Sequence, residues 1–356
     1  MPITLRPFGP GDVPCVAELR RRVFRRGRRT GPGELERYLQ EIFFENPWRD
    51  PGLPGWVADE DGAVVGFVGV IPRPLARGGE ALRGAVVSQF FVAPERRGFV
   101  GVRLLQKVMA GAQDLLYHDV VSPDVARLWE LVGGSVAHAC GFAWTRPLRP
   151  ARHAAARLGS APLVRGARLM ARPLLGVIDA LAAPAVLRAE PPCTAEPLAD
   201  LRLIVDALPE LVSPRAIRPV YDADRLKWLL ARAEERWSGR RIERQVVRAE
   251  DGAPAGWFLY LTAGGGTADL LQAHAAPGRH ADVLRHLFRH AHRTGAIAVR
   301  GRLDPAFQDD LHAAGVSWER ASPGILVHAR DPDLLAAVLR GDALLSGLDG
   351  GWWLDF

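Results

Sequence analysis

Lysine is nearly missing from this chain: of 46 basic residues among 356, only Lys107 and Lys227 are lysine, and the rest are arginine. With abundant Ala and Gly, that usage fits coding from a GC-rich genome. The formal net charge of +6 is therefore no nucleic-acid footprint, and no specific nucleic-acid partner is expected. Cysteine is scarce too. Cys15, Cys140 and Cys193 are far apart and odd in number, which excludes a disulfide framework and a cysteine metal site and predicts packing residues in a reducing compartment. Long apolar runs are lacking: Leu174–Leu187 is cut by Asp179 and Pro184, so no membrane span is expected. The opening Met1-Pro2-Ile3-Thr4-Leu5-Arg6-Pro7 reads as a short strand before Pro-Gly turns, without the charged and apolar regions of a secretory leader, which predicts a cytoplasmic protein. No Ser-His-Asp order, Walker loop or dinucleotide fingerprint appears. The length suits two domains, and 48% hydrophobic with 24% charged residues is ordinary globular composition.

What is present is concentrated in Ala85–Leu105, AVVSQFFVAPERRGFVGVRLL. Ala85–Val92 is apolar except for Ser88 and Gln89, as a buried central strand would be. Pro94 ends it, Gly98 and Gly101 free the backbone for close approach to a ligand, and Leu104, Leu105 and Val108 begin an apolar helical face. Strand, turn and helix N-terminus together predict a site for a phosphate or pyrophosphate of a nucleotide-type cofactor. Leu115–Val121 then reads as a second strand, Ser122-Pro123-Asp124 as a helix start, Val125–Val132 as a short helix ending at Gly133-Gly134, and Val136–Leu148 as a return segment.

On Val92-Ala93-Pro94-Glu95-Arg96-Arg97-Gly98, Leu104-Leu105 and Ala126-Arg127-Leu128-Trp129-Glu130-Leu131-Val132-Gly133-Gly134, the first 148 residues resemble the GNAT acyltransferase superfamily. The resemblance implies acyl-coenzyme A as co-substrate, most simply acetyl-coenzyme A. The pyrophosphate would lie on backbone amides of Arg97, Gly98, Phe99, Val100, Gly101 and Val102, and the thioester near Phe90, Phe91 and Val92 of a splayed strand. Ser122 falls where the family places an Asn or Ser on coenzyme A. Two departures stand out. The family loop Arg/Gln-x-x-Gly-x-Gly/Ala fits Arg97–Val102 only with one residue deleted or Val at a glycine position. Where many members carry a Tyr acid, this chain has Trp129, whose indole is donor-only. Trp129 is thus a cofactor-wall candidate, and no proton donor is carried over.

The second half echoes the first. Val57–Phe67 and Val247–Trp257 each read as a strand, an Asp-Gly turn and a returning strand with Gly before an aromatic residue. The later order also matches: a helix from Pro277-Gly278-Arg279 through Arg293, a strand over Ala296–Leu303, a short helix over Pro305–Ala314, and a closing strand, Ile325–Ala329. The fold expected is α/β, two tandem GNAT-like domains, each a mixed central sheet flanked by helices. Residues 1–148 would bind acyl-coenzyme A, 149–192 would be an Ala/Arg/Pro-rich helical connector docked between domains, with a cationic patch on a membrane as its rival, and 193–356 would be a degenerate copy without the phosphate loop.

Candidate catalytic residues follow from position. Asp119 is the preferred general base, with His118 beside it at the end of the second strand, and Gln89 or Ser88 faces the cleft. Arg20, Arg21, Arg22, Arg25, Arg26, Arg28 and Arg29 read as a solvated helix face or as a border for an anionic acceptor. His286, His290 and His292 mimic a zinc spacing but read as a basic helix, so no metal is expected. Trp352 and Trp353 read as a tail anchor. The function expected is direct transfer of an acyl group from acyl-coenzyme A to an amine or hydroxyl of a small, anionic or sugar-linked acceptor. The rivals are a non-catalytic acyl-coenzyme A-binding module and an aminoacyl or long-chain acyl transferase.

Overall fold

The structure, a computed structural model, describes residues 2–24, 33–119, 121–158, 166–167, 170–182, 184, 187, 192–211, 216–237, 239–345 and 347–351. The strands in chain order are β1 (Thr4–Pro7), β2 (Trp56–Glu60), β3 (Ala63–Arg77), β4 (Glu80–Val92), β5 (Leu115–His118), β6 (Ser135–Ala137), β7 (Phe142–Pro147), β8 (Thr194–Pro197), β9 (Arg218–Pro219), β10 (Arg241–Arg248), β11 (Pro254–Thr262), β12 (Thr267–Ala275), β13 (Ala298–Arg302), β14 (Ser317–Arg320) and β15 (Ile325–Ala329). The helices are α1 (Val13–Val23), α2 (Glu34–Phe43), α3 (Phe99–Met109), α4 (Pro123–Leu131), α5 (Pro150–Arg157), α6 (Arg172–Leu181), α7 (Arg202–Leu211), α8 (Ala223–Arg236), α9 (His280–Arg293), α10 (Gln308–Ala313) and α11 (Pro332–Arg340).

Two compact units result, each with a mixed sheet and flanking helices. The first comprises Met1–Gly141, Pro214–Arg236 and Ser322–Phe356, and the second Phe142–Ser213 and Trp237–Ala321. In the first, strands run in the order β1-β2-β3-β4-β5-β15-β6, with β9 added to β3. In the second the order is β14-β7-β13-β12-β11-β10-β8. Each sheet is antiparallel except at one central pair, β4–β5 in the first and β12–β13 in the second.

The two Asp-Gly turns form as the sequence predicts. Asp61 and Gly62 both take positive φ between β2 and β3, and Gly252 does so between β10 and β11. Such φ values match the right-handed twist of the flanking strands. The units do not divide at Leu148 and Cys193: the first ends its opening segment at Gly141, and each is assembled from separated segments. β7, from the first-copy stretch, pairs with β13 and β14 in the second sheet. β15, from the second-copy stretch, pairs with β5 and β6 in the first. Packing accounts for both: Leu326 of β15 belongs to the first core with Phe67, Leu104, Leu105 and Trp129, and Trp144 of β7 belongs to the second with Phe258, Leu287 and Phe288. The return segment read over Val136–Leu148 is thus two strands in two sheets.

Candidate active site

The site of the first unit begins with a defect in β4. Phe67 pairs with Phe91 and Gly69 with Ser88, so Gln89 and Phe90 together oppose Val68. This is a β-bulge, and Gln89 pays for it with φ of +59°, a left-handed conformation uncommon outside glycine. A side-chain clamp holds it: Nε of Arg20, on α1, donates to Gln89 Oε1 at 2.7 Å. Beyond the bulge the side chains alternate normally. Phe90 turns toward Gly101 of α3, and Phe91 packs among Phe24 and Phe67.

β4 and β5 also part company. Their parallel pairing covers Gly84–Val86 against Leu115–Tyr117 and goes no further, although β4 runs on to Val92. Past Val86 no strand among the described residues pairs with β4 on that side, and Gly351 of the C-terminal stretch lies beside Val87, so part of the β4 backbone is left outside the ladder. The exposed turn Pro94–Arg96 follows, then Arg97 and Gly98, then α3. Gly98 takes φ of +87° and offers no side-chain cap. The first helical bond runs from Val102 N–H to Gly98 C=O, so the N–H groups of Phe99, Val100 and Gly101 precede the ladder. α3 has no acidic residue in its first turn. An anion is the natural complement of such an end.

The glycines divide their roles differently from the expectation. At Gly98 a Cβ would meet nothing within 4 Å, whereas at Gly101 it would stand 3.3 Å from Leu128 and 3.4 Å from Phe90. Gly101 thus lets α3 pack closely, and Gly98 alone faces open space. Val100 does not crowd the loop, since its buried side chain points inward to Gly66. Ser122 caps α4, its Oγ accepting from Val125 N–H at 3.4 Å. Trp129 is a core residue: it is fully buried and its Nε1 donates to Val327 C=O at 3.0 Å.

Asp119 is placed differently from a base that meets an acceptor. It is fully buried, and its Oδ1 accepts the Gly351 N–H at 2.6 Å. The chain near its C-terminus is tied down beside it. Tyr117 Oη donates to Asp349 C=O at 2.9 Å, and Tyr221 Oη donates to the Asp349 carboxylate. Arg73, buried on β3, stacks over Trp48 at 4.4 Å, and its charged and hydroxyl surroundings are Tyr117, Asp349, Tyr221 and Asp119. Burial pulls the guanidinium below its ordinary pKa and pushes the Tyr117 hydroxyl up. Sequence reasoning missed this cluster. Its trace was an arginine inside the apolar run of β3 and the Asp349-Gly350-Gly351 stretch, where a Cβ on Gly350 would collide with the Asp119 carboxylate.

His118, at the end of β5, is buried and pairs with Leu326. Among the arginine run, Arg20 holds Gln89, Arg21 pairs with Glu18 and Glu36, and Arg22 pairs with Glu95. Arg25, Arg26, Arg28 and Arg29 lie outside the described residues, as do Trp352 and Trp353. In the second unit, His286 Nε2 bonds Cys193 C=O at 2.9 Å and His290 Nδ1 bonds Tyr260 Oη at 2.7 Å. Burial lowers the pKa of both imidazoles.

The second unit repeats the bulge and the splay without the anion end. Leu259 pairs with Gln272 and Tyr260 with Leu270, leaving Leu271 as the extra residue. Pairing of β12 with β13 stops at Asp269–Arg300. The first turn of α9, however, carries its own carboxylate, Asp282, which is buried and paired with Arg279 and Arg285.

Residues 16–128, which hold the bulge, the splay and the α3 turn, match the acetyltransferase (GNAT) family. That match covers about a third of the chain. No curated protein matches the chain by sequence. Among solved structures it resembles a conserved protein of unknown function, a probable N-acyltransferase, from Enterococcus faecalis V583, with TM-score 0.60 and 12% identity over 92% of this chain and 73% of that one. It also resembles a GCN5-related N-acetyltransferase from Anabaena variabilis, with TM-score 0.59 and 11% identity over 93% and 74% of the two chains. A third, from Kribbella flavida, gives TM-score 0.56 and 14% identity over 93% and 72%. At these identities the likeness is one of fold, and it extends over more than nine-tenths of this chain. No helix among the described residues is long and apolar enough to cross a membrane.

Proposed function

We propose that the first unit transfers an acyl group, in the simplest case acetyl, from acyl-coenzyme A directly to an amine or hydroxyl of a small acceptor. The observation that carries this reading is one continuous feature: a bulged, splayed β4 that leads into an α3 N-terminus free of acidic residues. Acyl-coenzyme A supplies a thioester, whose carbonyl carbon is the electrophile and whose thiolate is the leaving group. The N–H groups of Phe99, Val100 and Gly101 would hold its pyrophosphate, and Gly98 leaves room for it. Backbone donors around Phe90–Val92 would polarise the thioester carbonyl. The Arg20–Gln89 clamp fixes those donors in place. Holding acceptor and thioester in register can supply on the order of 7–11 kcal/mol of the barrier, so the absence of a Tyr at position 129 does not forbid turnover. His118, whose neighbour Asp119 is engaged by the Gly351 N–H, is the remaining candidate to take the acceptor's proton.

Titration calorimetry with coenzyme A tests the reading. Gly98→Asp and Gly278→Asp both place a side chain at positive φ with open space around it. Only the first places a carboxylate at the proposed pyrophosphate. Gly98→Asp should raise Kd by about tenfold or more through like-charge repulsion, and Gly278→Asp should leave it within about twofold. Equal losses at both would remove coenzyme A from the α3 turn. Binding without turnover across a panel of amines would make the unit a binding module.

A further inference from the structure

Helix α6 is inside out. Leu174, Val177, Ile178 and Leu181 follow the i, i+3, i+4, i+7 spacing of one helical face, and a soluble protein normally buries such a face. Here they are 63%, 59%, 42% and 78% exposed, and Met170, one turn earlier, extends the stripe at 83%. The opposite face holds the helix's acidic residue. Asp179 is buried, its Oδ1 accepting N–H bonds from Ala151 at 2.7 Å and Arg152 at 3.4 Å, with the Arg152 guanidinium 3.5 Å from Oδ2. Asp179 thereby caps the N-terminus of α5 and fixes the rotation of α6. The apolar stripe faces outward because the polar side is pinned.

The charge around the stripe says what covers it. Residues 149–192 contain seven arginines against Asp179 and Glu190, a surplus of five positive charges out of the chain's net +6. Arg157 and Arg172, at the ends of α5 and α6, are exposed. An apolar helical face in a segment with this positive surplus suits an anionic lipid surface, where the side chains enter the acyl boundary and guanidinium groups meet headgroups. A second copy of the chain would bring the same positive surplus to the same face, and like charges oppose that pairing.

We infer that α6 is a peripheral membrane anchor, lying in the plane of an anionic bilayer surface. This assignment stands apart from the acyl-transfer reading, since it uses none of the residues of the β4–α3 site. Co-sedimentation of the full chain with vesicles tests it. Vesicles of phosphatidylcholine containing phosphatidylglycerol should bind the protein, vesicles of phosphatidylcholine alone should not, and added salt should weaken the binding. Leu174→Glu with Ile178→Glu should lower partitioning about tenfold per residue replaced. Arg157→Glu with Arg172→Glu should weaken it as well. Both pairs are exposed, so thermal unfolding should be unchanged, which separates lost binding from lost fold. A wild-type chain that ignores phosphatidylglycerol vesicles, or binds both vesicle types equally, would overturn the inference. So would a dimer in solution that Leu174→Glu dissociates, which would give the face to a second copy.

Discussion

His274 lies in β12 with its ring edge-on to Trp257 at 5.2 Å, and its Nε2 has no partner among the described residues. Burial, helped by the charge of His280, lowers its pKa to about 4, against about 6.5 for a free imidazole. The fold therefore favours the neutral ring. Its contribution is fully present above pH 6.5 and is lost as pH falls through the interval down to about 4, by about 3 kcal/mol in all. His274→Leu should flatten that part of the stability profile. Denaturant unfolding of both proteins at pH 7, 6, 5 and 4 checks it, and parallel profiles would show that His274 stays solvated. Individual roles were unevenly legible in the sequence. Ser88 and Gln89 stood out as polar residues in an apolar strand, and Gly98 as the glycine before a helix. Asp119 and Trp129 were legible as positions but not as environments, because what surrounds them, Gly351 and Val327, arrives more than 190 residues later in the chain.

At the scale of elements, the bulge in β4 is the feature with most at stake. Its left-handed residue is a glutamine, which costs roughly 1–2 kcal/mol relative to a residue at ease there, while the Arg20 hydrogen bond returns about 1 kcal/mol. Gln89→Gly should consequently be close to neutral in thermal unfolding. Gln89→Val, β-branched and unable to accept from Arg20, should lose about 2 kcal/mol or more, a fall of roughly 4–8 °C for a unit of this size, and should raise KM for acyl-coenzyme A. A valine variant with wild-type Tm and KM would show that the bulge needs no clamp. Most of the element order was legible in both halves, because Asp-Gly turns, proline stops and apolar periodicity are local properties, although β14 was missed and β6 and β7 were read as one segment. The bulge was not, because it is a mismatch of register between β3 and β4 and neither strand declares it alone.

For the whole molecule, the exchange of β7 and β15 between sheets decides what can stand alone. A fragment of residues 1–148 has every element that its sequence pattern promises, yet it lacks β15, which lies between β5 and β6. β5 is buried along its length and would become an exposed apolar edge, a template for aggregation. The fragment should be insoluble, or should melt without a cooperative transition by circular dichroism. A sharp melt would show that the first sheet closes without β15. The tandem plan was visible from order alone, but which copy keeps which closing strand depends on pairings between distant segments. The same exchange constrains how the protein comes into being at the ribosome. Leu326 pairs with His118, about 200 residues away, so at 5–20 residues per second roughly 10–40 s separate the emergence of β5 from that of its partner. Throughout that interval the nascent chain holds an apolar strand edge open, which makes it a client for chaperones during synthesis rather than a chain that folds domain by domain as it emerges.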